Sequence, residues 1–220
     1  MIRNDHGAQE RPALLLVTRD SGRRADLDAA LTAADWQVRL SDRGAEADLT
    51  GADAWSLILL DLDGETAHET QIAGLIRTSS GSASAAPILV VQPDPGTSAE
   101  PAGVDAVLKG VGSGETLARA LETWRPVSLE PTRRIAAMFG AGPIAGMIER
   151  LALRLEAAIA TLDRGVIDKG EAHRLAGLCG TLGFGQAHAA WLDLSVGDES
   201  AVPDVRRTTR LTLAAIARGL

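Results

Sequence analysis

The residues with the clearest capacity for chemistry lie in the stretch 173–183, His-Arg-Leu-Ala-Gly-Leu-Cys-Gly-Thr-Leu-Gly. Laid on a helix at about 100° per residue, Leu175, Leu178 and Leu182 share one face, with Cys179 and Ala172 at its margin. His173 points the opposite way. Its neighbours on that outer face are Ala176, Gly177 and Gly180, because positions three, four and seven apart lie above one another. Each glycine inside a helix costs about 1 kcal/mol relative to alanine, so two beside a solvent-facing histidine describe a surface kept low for a close visitor. An imidazole that titrates near neutral pH and stands clear of packing is usable as a nucleophile. The same pattern also fits a solvated histidine beside residues small enough to admit a neighbouring helix.

The stretch resembles the histidine phosphotransfer (HPt) domains of bacterial multistep phosphorelays. Their pattern is a histidine, a leucine two residues on, a lysine and a glycine at three and four, and a further glycine near ten, on the second helix of an antiparallel four-helix bundle. His173, Leu175, Gly177 and Gly183 stand at matching positions, and Ala176 stands where the family has its lysine. The resemblance implies that His173 is the phosphoacceptor of a carrier protein, not of a kinase or other enzyme. It implies no cofactor or metal in this chain, with magnesium supplied by a partner receiver. The implied partners are the receiver domain of a hybrid histidine kinase and a response regulator. Lys169, one turn before His173 on the same face, can supply the positive charge that Ala176 lacks, or can be an ordinary solvated lysine.

The elements around His173 follow from periodicity. Ile144, Met147, Ile148, Leu151, Leu155, Ile159 and Leu162 make one long apolar helical stripe that stops at Gly165. Asp168 and Glu171 have the spacing of a capping box, which starts the reactive helix there and puts His173 in its second turn, although Val166 and Ile167 can also belong to it. There the helix dipole favours a bound phosphoryl group. Ala187, Ala190, Trp191 and Leu194 form a third helix, with Trp191 in the core and His188 on the surface. Val202, Val205, Thr209, Leu213 and Ile216 form a fourth. Four helices with short loops predict an all-α antiparallel bundle over 126–220. Pro126 and Pro131 disfavour helix and make 126–131 a semi-rigid connector.

Residues 1–125 read differently. After a polar, loose start over 1–11, apolar runs at 13–17, 56–60, 87–91 and 104–108 and an alternating run at 36–40 predict five strands. A helix carrying Leu27, Ala30, Leu31 and Ala34 and another over 114–124 intervene, so the expected fold is a doubly wound five-stranded parallel α/β sheet. The stretch 79–85 reads as a flexible loop. Sites in such folds lie at the carboxyl ends of the strands.

This part resembles a receiver domain of the response-regulator family, with a flavodoxin-like fold. The resemblance places Asp61 at the phosphoacceptor position, Gln92 where the family has serine or threonine, and Lys109 as the family lysine if one residue is deleted before it. Thr18 and Arg19 replace the acidic pair that holds magnesium, and Asp20 is the nearest carboxylate. Phosphoryl transfer to a carboxylate brings two anions together, and the family offsets that repulsion with a divalent ion and a lysine. The expectation is therefore a pseudo-receiver with Asp61 inactive, paired with Arg19.

The chain has 220 residues, a formal net charge of −7 and one cysteine. It offers no basic field for nucleic acid or an anionic membrane, no internal disulfide and no Cys/His spacing for zinc. No signal peptide or spanning segment is apparent, which predicts a cytoplasmic protein. The whole reads as a phosphorelay carrier. The alternative is a scaffold or inhibitory binding protein in which both parts have lost phosphorylation and only dock to signalling partners.

Overall fold

The computed structural model describes residues 11–41, 55–62, 66–79, 82–92 and 101–219. Residues 1–10 of the start expected to be loose lie outside them. Five strands, β1 (Ala13–Thr18), β2 (Gln37–Ser41), β3 (Leu57–Asp61), β4 (Ile88–Gln92) and β5 (Ala106–Lys109), form one parallel sheet in the order β2-β1-β3-β4-β5. Each ends on a polar residue, past an apolar run in all but the alternating β2. Those five ends, Thr18, Ser41, Asp61, Gln92 and Lys109, line the carboxyl edge.

Because side chains alternate along a strand, each buried run feeds two faces. Leu14, Leu16, Leu57 and Leu59 pack on one face against α1 (Ser21–Ala33), through Leu27 and Leu31, and α3 (Gly114–Ala120), through Leu117. Leu15, Val17, Ile58 and Leu60 pack on the other against Ile72, Ala73 and Ile76 of α2 (Thr66–Thr78), a helix the sequence reading does not name. The helix expected over 114–124 finishes as a 3-10 turn, Leu121–Trp124. The segment before β4 is not loose along its length. It holds a 3-10 turn, Ser82–Ala85, with Ala83 and Ala86 buried, and Arg77 Nη1 donates to the carbonyls of Ser84 and Ala86 at 2.7 and 2.8 Å.

The carboxyl-terminal part is helical: α4 (Glu130–Phe139), α5 (Ala141–Asp163), α6 (Lys169–Thr181), α7 (Gly185–Ser195) and α8 (Val202–Arg218). The connector expected over 126–131 is irregular through 129 but gives way to helix at 130. Pro131 sits in the first turn of α4, where the missing N–H would have no helical partner anyway, so it starts a helix instead of preventing one. Glycines with positive φ, Gly165, Gly183 and Gly197, close the turns after α5, α6 and α7. Ile148, Leu151, Leu155, Leu175, Cys179, Trp191, Val205 and Leu213 share one core, and Trp191 Nε1 donates to Thr209 Oγ1 at 3.0 Å inside it.

Helix α8 is buried on more than one side. Val205 and Leu213 enter the helical core, while Leu211 enters the core between the sheet and α1. Arg207 donates to the Thr123 carbonyl at 2.8 Å, and Arg210 pairs with Asp105, just before β5, at 2.7 Å. The helix therefore lies along the amino-terminal edge of the sheet, opposite Asp61. Among the described residues no helix is long and apolar enough to cross a membrane.

Candidate functional site

Asp168 caps α6, its carboxylate accepting from Glu171 N at 2.9 Å, so the helix starts at Lys169 and leaves Val166 and Ile167 outside. Only half of the expected capping box forms. The Glu171 carboxylate is taken by Arg154 of α5, which donates at 2.7 and 2.8 Å, and by Arg174 Nε at 3.0 Å. Arg154, absent from the sequence reading, ties the first turn of α6 to α5. Together Asp168, Lys169, Glu171, Arg174 and Arg154 leave one more positive than negative charge at the amino end of α6, where the helix dipole has the same sign.

His173 is exposed, and its imidazole makes no hydrogen bond or ion pair among the described residues. The other described histidines are engaged. His68 Nε2 lies 3.0 Å from an Arg19 nitrogen, and His188 Nδ1 lies 2.9 Å from the Ala176 carbonyl. A carbonyl only accepts, so Nδ1 of His188 carries the proton. His188 is thus half-buried between helices and not the surface residue expected.

The ledge around His173 is narrower than the helical wheel suggests. Ala176 is 1% exposed and packs in the core, because the buried stripe of α6 runs Ala172, Leu175, Ala176, Cys179 and leaves Leu178 half-exposed. Gly180 is also not free ledge. A Cβ there would lie 3.0 Å from His188 Nδ1, so its bareness admits the His188 ring from α7. Gly177 is exposed, with nothing within 4 Å of a would-be Cβ, and keeps the surface one turn after His173 low. Gly183 adopts φ +87°, and a Cβ there would meet Pro131 Cβ at 2.9 Å. Its close approach lets Thr132 Oγ1 donate to the Leu182 carbonyl at 2.8 Å, seating α4 on the end of α6. The ammonium of Lys169 lies against Gly197, where an added Cβ would come within 2.7 Å of Nζ.

At the carboxyl edge of the sheet, Thr18 and Asp61 are register partners on β1 and β3. Asp61 is 1% exposed; Thr18 Oγ1 donates to its Oδ2 at 3.2 Å and Arg23 Nη1 to its Oδ1 at 3.1 Å. The guanidinium on Asp61 therefore belongs to Arg23, and the pairing expected for Arg19 is corrected: Arg19 reaches His68. Arg23 also donates to the Val111 carbonyl at 3.3 Å. Nothing in the sequence separates this partner from Arg19, since both follow closely on β1. Asp20 caps α1, accepting from Gly22 N at 2.8 Å and Arg23 N at 3.2 Å. Gln92 is buried at the end of β4, and Lys109, its register partner on β5, is exposed.

These residues do not fit a hard divalent cation. Both Asp61 oxygens have donors, one of them a fixed positive charge, and the carboxylate of Asp20 faces backbone N–H groups. Among the described residues no group of three or more His, Cys, Asp or Glu is placed to hold a metal. Cys179 is fully buried, and burial pushes its thiol up to about 12, which leaves it inert as a nucleophile. The chain matches neither a protein-family model nor a curated protein.

Proposed function

We propose that this protein is a phosphoryl carrier of the histidine phosphotransfer kind, in which α5 to α8 act as an antiparallel four-helix bundle presenting His173, and 1–125 is a pseudo-receiver. The observation that carries the reading is the contrast among the described histidines: His173 alone is uncommitted, and it stands on a capped, well-packed helix beside open Gly177. A ring nitrogen of neutral His173 attacks the phosphorus of an aspartyl phosphate on a partner receiver. The P–N bond forms as the bond to the aspartyl oxygen breaks, and the carboxylate leaves. Magnesium comes with that receiver. The rigid helix supplies position, and the charge excess at its amino end supports the phosphoryl group where the family's lysine is missing.

The partners are a hybrid histidine kinase receiver and a response regulator, and the compartment is the cytoplasm. The Arg23–Asp61 pair favours an inactive receiver site, since the carboxylate is already neutralised within the protein. The same pair is the observation behind the second reading, a scaffold or inhibitory binding protein in which both parts have lost phosphorylation. His173→Gln is the test. The variant should keep the helical circular dichroism of the parent, because the side chain is exposed, and should take up no phosphate from a phosphorylated receiver. Uptake equal to the parent's would refute the carrier reading.

A further inference from the structure

At the edge of the sheet opposite Asp61, where β1, β2 and β3 begin, lies an open cleft of about 700 Å³. Arg11, Arg125 and Arg218 reach it from three distant parts of the chain: the entry to β1, the segment after the Leu121–Trp124 turn and the end of α8. Two of them have partners. Arg11 pairs with Asp35 at 2.8 Å, while Arg125 pairs with Glu122 at 2.9 Å and lies over the Trp36 ring at 4.6 Å. Arg218 has none. Its Nη1 is closed to solvent and without a hydrogen-bond partner, and burial lowers its pKa from the ordinary value.

A guanidinium does not escape burial by losing its proton, so a charge that has lost water on one side without gaining a counter-ion is a standing cost that an anion in the cleft offsets. With the Arg125 pair counted, the described residues set three guanidiniums against two carboxylates, Asp35 and Glu122, in a chain whose formal net charge is −7. That excess favours an anion inside the concave wall, and three guanidiniums offer more donors than a single carboxylate can use. Ser56, Ser128 and Gln37 add neutral polar groups. The volume lies within the range of small-molecule sites, which runs from about 300 to 1,000 Å³.

We propose that this cleft binds a small phosphate-bearing anion, with Arg218 as the principal ligand and Arg11 and Arg125 at its rim. Bound there, the anion joins the end of α8 to the amino-terminal edge of the sheet and fastens the helical part to the α/β part. The site is independent of His173 and stands or falls separately from the carrier reading.

Calorimetric titration of the full chain at low salt with ADP, inorganic phosphate and citrate tests the proposal. At least one phosphate compound should bind at millimolar concentration or below, and citrate more weakly. Tighter binding of ADP identifies a nucleotide-like source, and equal binding of the two identifies free phosphate. Arg218→Gln should weaken that binding by at least about tenfold, as expected for loss of a charge-assisted fork. Arg11→Gln, at the exposed rim, should weaken it severalfold, and Arg119→Gln, on an exposed pair of α3, should leave it unchanged. Citrate binding as tightly as either phosphate compound, no binding of any of them, or full binding by Arg218→Gln or Arg11→Gln would overturn it.

Discussion

Two nucleophile types lie within two turns of one another on α6, and their surroundings give them opposite characters. His173 is exposed and has no partner among the described residues, whereas Cys179 is fully buried with its thiol pushed up to about 12. Iodoacetamide at pH 8 should therefore leave Cys179 unmodified in the folded chain and alkylate it after unfolding, as read by mass spectrometry; rapid labelling of the folded chain would contradict its burial. The same shift has a sign in stability. The thiol's ordinary value is 9.0 and the folded value is about 12, so its contribution is complete below pH 9 and is lost as pH rises toward 12. At this scale the exposure of His173 was legible, because its position opposite the leucines is fixed by helical spacing. The partner of Asp61 was not. Arg19 and Arg23 are both near in sequence, and only the exit of β1 into α1 decides that Arg23 reaches the carboxylate.

Within α6 and the turn that ends it, Gly177 and Gly183 have different physical reasons to be glycine. Gly177→Ala should stabilise the chain by up to about 1 kcal/mol, since helical propensity rises and nothing lies within 4 Å of the new methyl group. Gly183→Ala should destabilise it by about 2–3 kcal/mol, because φ is +87° and the methyl group would meet Pro131. Denaturant melts of the two variants give the comparison, and changes of the same sign would contradict these assignments. The long stripe of α5, its stop at Gly165 and the apolar strands were readable because their signals are local and periodic. Helix α4 was not, since a proline that would break a helix interior is tolerated in a first turn. The placement of Ala176 also failed, because a wheel of leucines alone left out the small residues that let α6 and α7 approach closely.

Across the whole molecule, the joint is Asp105. Its carboxylate is 7% exposed and pairs with Arg77 of α2 and with Arg210 of α8, and it also accepts from Ile88 N at 2.8 Å. Burial lowers the Arg77 pKa from its ordinary value, with Asp105 opposing that shift. Asp105→Ala leaves two guanidiniums uncompensated and should cost about 3 kcal/mol, or roughly 10 °C in Tm, with sheet and helices losing structure together because α8 serves both. Unchanged melting would contradict the joint. None of this was legible in the sequence, where α8 shows one apolar stripe and Arg207 and Arg210 look like part of a solvated side. The most direct measurement of the central claim is the chemistry of the label acquired when the full chain meets a receiver domain carrying radioactive aspartyl phosphate. The label should be stable to alkali, labile to acid, absent from His173→Gln and unchanged in Asp61→Asn. An alkali-labile label that disappears in Asp61→Asn, or no label from any receiver of the source organism, would contradict the carrier account.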